Sequence, residues 1–220
     1  MSEGFLTRAI GRLKIRYRPV ICPFPELIGF VRAGDSVCDV GCGSGQLLLM
    51  LKRRTYAKRM VGLELDTRLI DTAASLLESD PHAVPCDLQV FNGIDFPDRL
   101  RECNLVFLVD VLHHVPGDLQ QHFLSRLYAT LGGGARVIIK DINRASPLVL
   151  CNKLHDLVLT GATGRERSLR EAQAMCERAG FRVISTFKRR QAVYPHYFLV
   201  LEKTPDAPVA TDVSSLAAAS

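Results

Sequence analysis

The chain has 220 residues, 47% of them hydrophobic and 23% charged, with a formal net charge of +5 at pH 7. That length suits one domain of α/β size with a sizeable core, the composition is ordinary for a soluble globular chain, and no run approaches the ~20 apolar residues that a membrane span needs. Seven cysteines, an odd number without a Cys-x-x-Cys pair, indicate neither a zinc site nor a disulfide framework and imply a reducing, cytoplasmic setting.

Phe5, Leu6, Ala9, Ile10 and Leu13 recur at helical spacing among arginines, which predicts an amphipathic helix capping the fold. The segment lacks the continuous apolar core of a secretory signal. Its basic residues, and the second cluster at Arg182, Lys188, Arg189 and Arg190, read as solvated faces; an acidic substrate, a carrier protein, nucleic acid or an anionic membrane surface are the alternatives. A proline-rich connection at residues 18–25 is rigid. A short helix at residues 26–31 then leads into a strand at residues 35–38.

The central stretch is Asp39-x-Gly41-x-Gly43-x-Gly45, a glycine turn between that strand and a helix at residues 46–53. Glycine admits positive φ and close approach of a ligand to the backbone, and a helix start offers free N–H groups and partial positive charge. The turn suits a nucleotide-like or carboxylate-bearing cofactor. Its glycine spacing is not that of the dinucleotide fingerprint, and a carboxylate at Asp39 can accept from an ammonium group but cannot favour a pyrophosphate. A second apolar strand, residues 59–66, brings Glu64 about 20 residues past the last glycine, where the ribose-binding acid of such a unit is expected. Asp66 reads as the cap of a helix at residues 67–79. A third strand, residues 86–91, leads to Asn92-Gly93-Ile94-Asp95.

The fourth strand, residues 104–109, is the continuous apolar run of a central parallel strand and ends in Asp110-Val111-Leu112-His113-His114. A helix at residues 118–130 and a glycine turn at 132–134 lead to a fifth strand closing on Lys140 and Asp141. Residues 142–165 break the alternation with an apolar segment containing His155, readable as a lid or as a plain crossover helix. Ser168 caps a helix stopped by Gly180. Two strands, at residues 181–187 and 196–202, form a final hairpin with Tyr194-Pro195-His196 in its turn, and residues 204–220 read as a disordered tail.

The glycine turn, Glu64 and the Asp110–His114 stretch together resemble the class I S-adenosylmethionine (SAM)-dependent methyltransferases of small-molecule type, over about residues 30–202. The resemblance implies a Rossmann-like α/β fold: a seven-stranded, mostly parallel sheet with the last strand antiparallel and helices on both faces. Residues 1–30 would be a helical cap, 31–203 the catalytic domain and 142–165 its lid. It implies SAM as cofactor, held by Asp39, Gly41, Cys42, Gly43, Gly45, Glu64, Leu65, Ile94, Asp95 and Asp110, with Tyr17 a further contact from the cap. His113 is the first candidate general base and His155, acting through Asp141, the second; a histidine near neutral pKa suits a hydroxyl acceptor. The implied activity is methyl transfer to a small molecule, an oxygen of an apolar, aromatic or acyl metabolite. A methyltransferase of RNA or another macromolecule and a non-catalytic partner protein with a retained fold are the alternatives. The Asn/Asp-Pro-Pro-aromatic tetrad of the amino-methylating base modifiers is absent, which argues against N-methylation of adenine or cytosine, and no metal cluster is evident. The chain leaves a homodimer open.

Overall fold

A computed structural model describes residues 21–146 and 164–205. The capping helix with Tyr17, the lid helix with His155 and the tail beyond residue 205 lie outside the described residues.

The described elements run α1 (Phe24–Ile28), β1 (Ser36–Val40), α2 (Gln46–Arg54), β2 (Arg59–Glu64), α3 (Thr67–Glu78), β3 (Cys86–Val90), β4 (Leu105–Val109), α4 (Gln120–Thr130), β5 (Arg136–Ile142), α5 (Leu169–Arg178), β6 (Arg182–Gln191) and β7 (Tyr194–Glu202). The seven strands form one sheet in the order β3-β2-β1-β4-β5-β7-β6. β1 pairs in parallel with β2 and β4, and β4 with β5, whereas β7 is antiparallel to both of its neighbours. The expected Rossmann-like architecture is therefore present. No helix among the described residues is long and apolar enough to cross a membrane.

Strand alternation divides the core into two layers. Val106 and Leu108 join the layer that contains α4 and α5 residues, while Leu105, Phe107 and Val109 join the layer that contains α1 and α2 residues. With both faces covered, β4 can be apolar throughout. Cys38 and Cys103 are buried core residues as expected, and six cysteines among the described residues are free thiols.

The final hairpin departs from the sequence reading. β6 continues to Gln191 and β7 begins at Tyr194, so Tyr194-Pro195-His196 lies in the strand, and the turn centres on Ala192, with φ 50°. Pro195 is tolerated close to the strand end because it needs only to accept: its carbonyl takes the Asn143 N–H at 2.7 Å. The extended strand carries His196 opposite Ile142 of β5.

The order of strands reverses at β1: β2 and β3 lie on one side, β4 and β5 on the other. The loops after β1 and β4 therefore diverge and leave a crevice at the carboxyl ends, the position where open α/β sheets bind ligands. At the opposite end Asp35, 4% exposed, collects donors from Arg136 at 2.7 Å, Asn104 at 3.0 Å and the Arg32 N–H at 2.7 Å, which ties the starts of β1, β4 and β5 together. Removing one partner of a buried ion pair leaves the other charge uncompensated. Asp35→Ala is expected to lower the unfolding free energy by about 3 kcal/mol in urea denaturation, with no change in cofactor affinity.

Candidate functional site

The turn after β1 is built from three residues with positive φ, Gly41 at 73°, Gly43 at 56° and Gly45 at 77°. Space as well as φ demands glycine. A Cβ on Gly41 would lie 2.6 Å from Val111 Cγ2, and one on Gly45 would lie 2.9 Å from the Ala73 Cβ. The first contact shows that the loop after β1 presses on the loop after β4. Gly45 caps α2 without a side-chain hydrogen bond, so the amide groups of the first turn keep their partial positive charge toward the crevice. Asp39 is buried within β1, beside Gly62 and Phe107. Cys42 turns its side chain into the core, at 1% exposure, and burial raises its thiol pKa; the residue can serve a ligand only through its backbone.

Glu64 ends β2 and is clamped. One carboxylate oxygen accepts the Gly43 N–H at 2.8 Å, and the other accepts the N–H groups of Leu65 at 2.8 Å and Asp66 at 3.2 Å. This carboxylate fixes the glycine turn against the end of β2. Leu65 and Ile94 stand exposed nearby, at 61% and 44%, and Gly93 lies against Leu65, 3.3 Å from its Cδ2 to a would-be Cβ. The Ile94 N–H, expected to meet the cofactor, is already donated to Asn92 Oδ1 at 3.0 Å. The Asp95 carboxylate accepts from Asn92 and from Arg126 at 2.9 and 3.1 Å.

Asp110 follows β4 in a left-handed conformation, φ 58°, which Asp tolerates better than most residues. Lys140 holds it from both sides. Its carbonyl accepts the Asp110 N–H at 2.9 Å, and its Nζ donates to both carboxylate oxygens at 2.7 Å. Burial would push the Asp110 carboxyl up, but Lys140, aided by His196 and His113, outweighs it and holds it well below the usual range. Lys140 is only 1% exposed, so the pair is desolvated on its cationic side.

Asp141, the next residue, points to the other face and takes His113. His113 Nδ1 and Asp141 Oδ1 are 2.5 Å apart; Asp141 also accepts the backbone N–H of His113 at 3.1 Å and of Ile142 at 2.7 Å. An ionised carboxylate can only accept, so Nδ1 carries a proton directed at Asp141. His113 is 4% exposed, and the backbone at Gly164 lies on the ring: a Cβ there would be 2.5 Å from His113 Cδ2. The sequence reading gave Asp141 to His155; in the structure its carboxylate is engaged by His113.

Adjacent strand ends also bring together what sequence spacing scattered. Ligand atoms of Asp110, His113 and Asp141 lie within 4.8 Å of one another, although the sequence shows no metal cluster. Lys140 already occupies both Asp110 oxygens and Asp141 takes three N–H donors, so the charge of the cluster is met by protein groups. Gln120 was not singled out from the sequence, and His196 not for the contact it makes. Gln120, 0% exposed, donates from Nε2 to the carbonyls of Leu112, Val115 and Arg165 and accepts from Arg167 Nε, knotting the loop after β4 to residues 164–167. His196 donates from Nε2 to the Ile21 carbonyl at 2.8 Å, and its buried Nδ1 has no hydrogen-bond partner among the described residues. Neither could be found by motif, because both act through backbone carbonyls that are distant in sequence.

Residues 14–186 match a protein family described as a methyltransferase domain. Demethylspheroidene O-methyltransferase of Rhodobacter capsulatus is 29% identical over 158 residues, 70% of this chain and 38% of that protein. Human acetylserotonin O-methyltransferase is 36% identical over 107 residues, 46% of this chain and 30% of that protein. The chain thus matches well under half the length of either relative. Among solved structures, magnesium protoporphyrin IX methyltransferase from Synechocystis, with bound SAH, superposes with a TM-score of 0.71 at 17% identity, over 92% of this chain and 95% of that one.

His196 carries a pH prediction. Burial, then Lys140, lowers its pKa from 6.5 to about 4. The unfolded chain therefore binds a proton that the folded chain refuses between those values, and stability falls as pH drops through that window. A shift of this size corresponds to about 3 kcal/mol. In urea titrations from pH 7 to pH 4, His196→Gln is expected to lose a correspondingly smaller fraction of its stability than the parent chain.

Proposed function

We propose a reaction for a chain that belongs to the class I SAM-dependent methyltransferases: methylation of a hydroxyl on a small apolar, aromatic or acyl molecule, with His113 as the base. The names of the two sequence relatives support an oxygen acceptor, and the buried His113–Asp141 pair carries the reading.

The crevice fits the cofactor. Exposed Leu65 and Ile94 beside the bare Gly93 backbone offer an apolar slot of the kind that accepts a base face, and Glu64, fixed at the strand end by three N–H groups, keeps about one acceptor site, on Oε2, for a ribose hydroxyl. Asp39, Gly41, Gly43 and Gly45, the Cys42 backbone, Asp95 and Asp110 complete the set that would hold it. When bound, SAM supplies a methyl group made electrophilic by the sulfonium.

The chain's own task is to orient the acceptor and to receive its proton. Asp141 holds the neutral His113 ring with Nδ1 protonated, leaving Nε2 to accept the hydroxyl proton as oxygen bonds to carbon. The resulting imidazolium faces the Asp141 carboxylate at 2.5 Å, so the new charge appears against its partner in a site shielded from water.

Two measurements test this. Glu64→Ala is expected to weaken SAM binding about tenfold by calorimetry, since it removes a charged hydrogen-bond acceptor; unchanged affinity would remove Glu64 from the site. With labelled SAM and small-molecule extracts of the cell of origin, His113→Ala is expected to lower turnover by about 10²–10⁴-fold while SAM affinity holds. Full activity in that variant would rule out His113 as the base.

A further inference from the structure

A cavity of about 570 Å³ lies behind the Gly164 backbone that covers the His113 ring. Pro116, Gly117 and Asp118, from the loop after β4, form one side; Arg144 and residues 164–167 form the other. Its wall is joined to the dyad by two backbone contacts. The Gly164 backbone lies on the imidazole, and the Arg165 N–H donates to the His113 carbonyl at 2.7 Å.

Three arginines contribute to this lining, and their charges are met differently. Arg144 is paired with Glu171 at 2.5 Å. Arg167 gives its Nε to Gln120 Oε1 at 2.7 Å and an Nη2 to the Gly117 carbonyl at 3.0 Å. Both of those acceptors are neutral, so the interaction orients the guanidinium without cancelling its charge. Arg165 is exposed, and its guanidinium has no hydrogen bond or ion pair among the described residues. Gly117 makes room for both: a Cβ there would sit 3.3 Å from Arg167 Nη2 and 3.9 Å from Arg165 Cγ. Of the lining acids, Glu166 is 3% exposed and Asp118 is an exposed residue of the loop.

We infer that this cavity binds an oxyanion carried by the methyl acceptor, a carboxylate or a phosphate, held by Arg165 and Arg167 while the acceptor's hydroxyl reaches His113. The inference rests on the methyl-transfer reading above and narrows its substrate to anionic small molecules. A guanidinium is always protonated and presents a planar fork that matches both oxyanions. Arg167 is preset by Gln120, which itself is fastened to the loop that carries His113, so an oxyanion bound there is registered to the base through rigid contacts. Arg165 would close on the ligand as the second donor.

The test uses the full chain saturated with S-adenosylhomocysteine (SAH), titrated calorimetrically at constant ionic strength with benzoate, with inorganic phosphate and with benzyl alcohol as the uncharged control. Saturable binding of benzoate or phosphate, but not of benzyl alcohol, is expected. The tighter of the two identifies the anion as carboxylate or phosphoryl. Arg165→Ala should weaken that binding about tenfold and Arg165→Lys less, with SAH affinity unchanged in both. Arg165 is exposed, so neither substitution threatens the fold, whereas Arg167 holds Gln120 and is left in place. Binding of neither anion, equal binding of benzyl alcohol, or undiminished anion binding by Arg165→Ala overturns the proposal. Failure of the chain to bind SAH overturns the methyl-transfer reading instead, and is read in a separate titration.

Discussion

The ends of β4 and β5 are joined by the Asp110–Lys140 ion pair and the His113–Asp141 hydrogen bond, whose polar atoms gather at the strand ends. Strand alternation sends Lys140 to one side and Asp141 to the other. Each meets a partner from the single loop after β4: Asp110 goes to Lys140, and His113 goes to Asp141. One loop can serve both partners only by turning sharply, and the left-handed backbone at Asp110 supplies that turn. The strain of a non-glycine residue there is of order 1 kcal/mol, and the Lys140 grip on both carboxylate oxygens offsets it. Loss of Lys140 would therefore disturb His113 as well, since its partner Asp110 lies within 4.8 Å of the His113–Asp141 pair.

The same logic of fixing a loop by a charged group recurs on the other side of the crevice. Glu64 collects N–H groups from the glycine turn and from its own strand end, so β1 and β2 are locked at their carboxyl ends much as β4 and β5 are. Between these two locked pairs lies the contact of Gly41 with Val111. A ligand placed there would meet preset walls with few side chains left to reorganise, which lowers the entropy cost of binding.

Much of this was legible in sequence because local chemistry determined it. The glycine turn, the acid at the end of β2 and the apolar run of β4 each carry their geometry in a few consecutive residues. The Asp66 and Ser168 caps are likewise local, and both form. What was not legible depended on pairing between distant segments. Asp141 could not be assigned to His113 before β4 and β5 were known to be neighbours with Val109 opposite Lys140. The role of Gln120 depends on carbonyls from residues 112, 115 and 165 converging on one amide. The end of β6 was missed because Lys188, Arg189 and Arg190 look like a solvated turn, yet on an exposed edge strand charged residues are what discourages pairing with another chain.

The charges left over at the site bear on which acceptors it can process. Asp110 and Lys140 cancel. A neutral His113 beside ionised Asp141 carries one net negative charge, and it becomes neutral when the ring takes a proton. In a site largely closed to water that change is favourable, because electrostatic interactions are less screened there. An anionic acceptor would be repelled by the unreacted pair unless a cation stood close to its far end. Arg165 and Arg167 lie on the segment that packs against the His113 ring, and neither charge is cancelled by a hydrogen-bonded acid. The arginines would therefore draw in the charged end of the acceptor, and the Asp141 carboxylate would favour departure of its proton to His113, so that binding and deprotonation are assigned to different charges on the two sides of one imidazole.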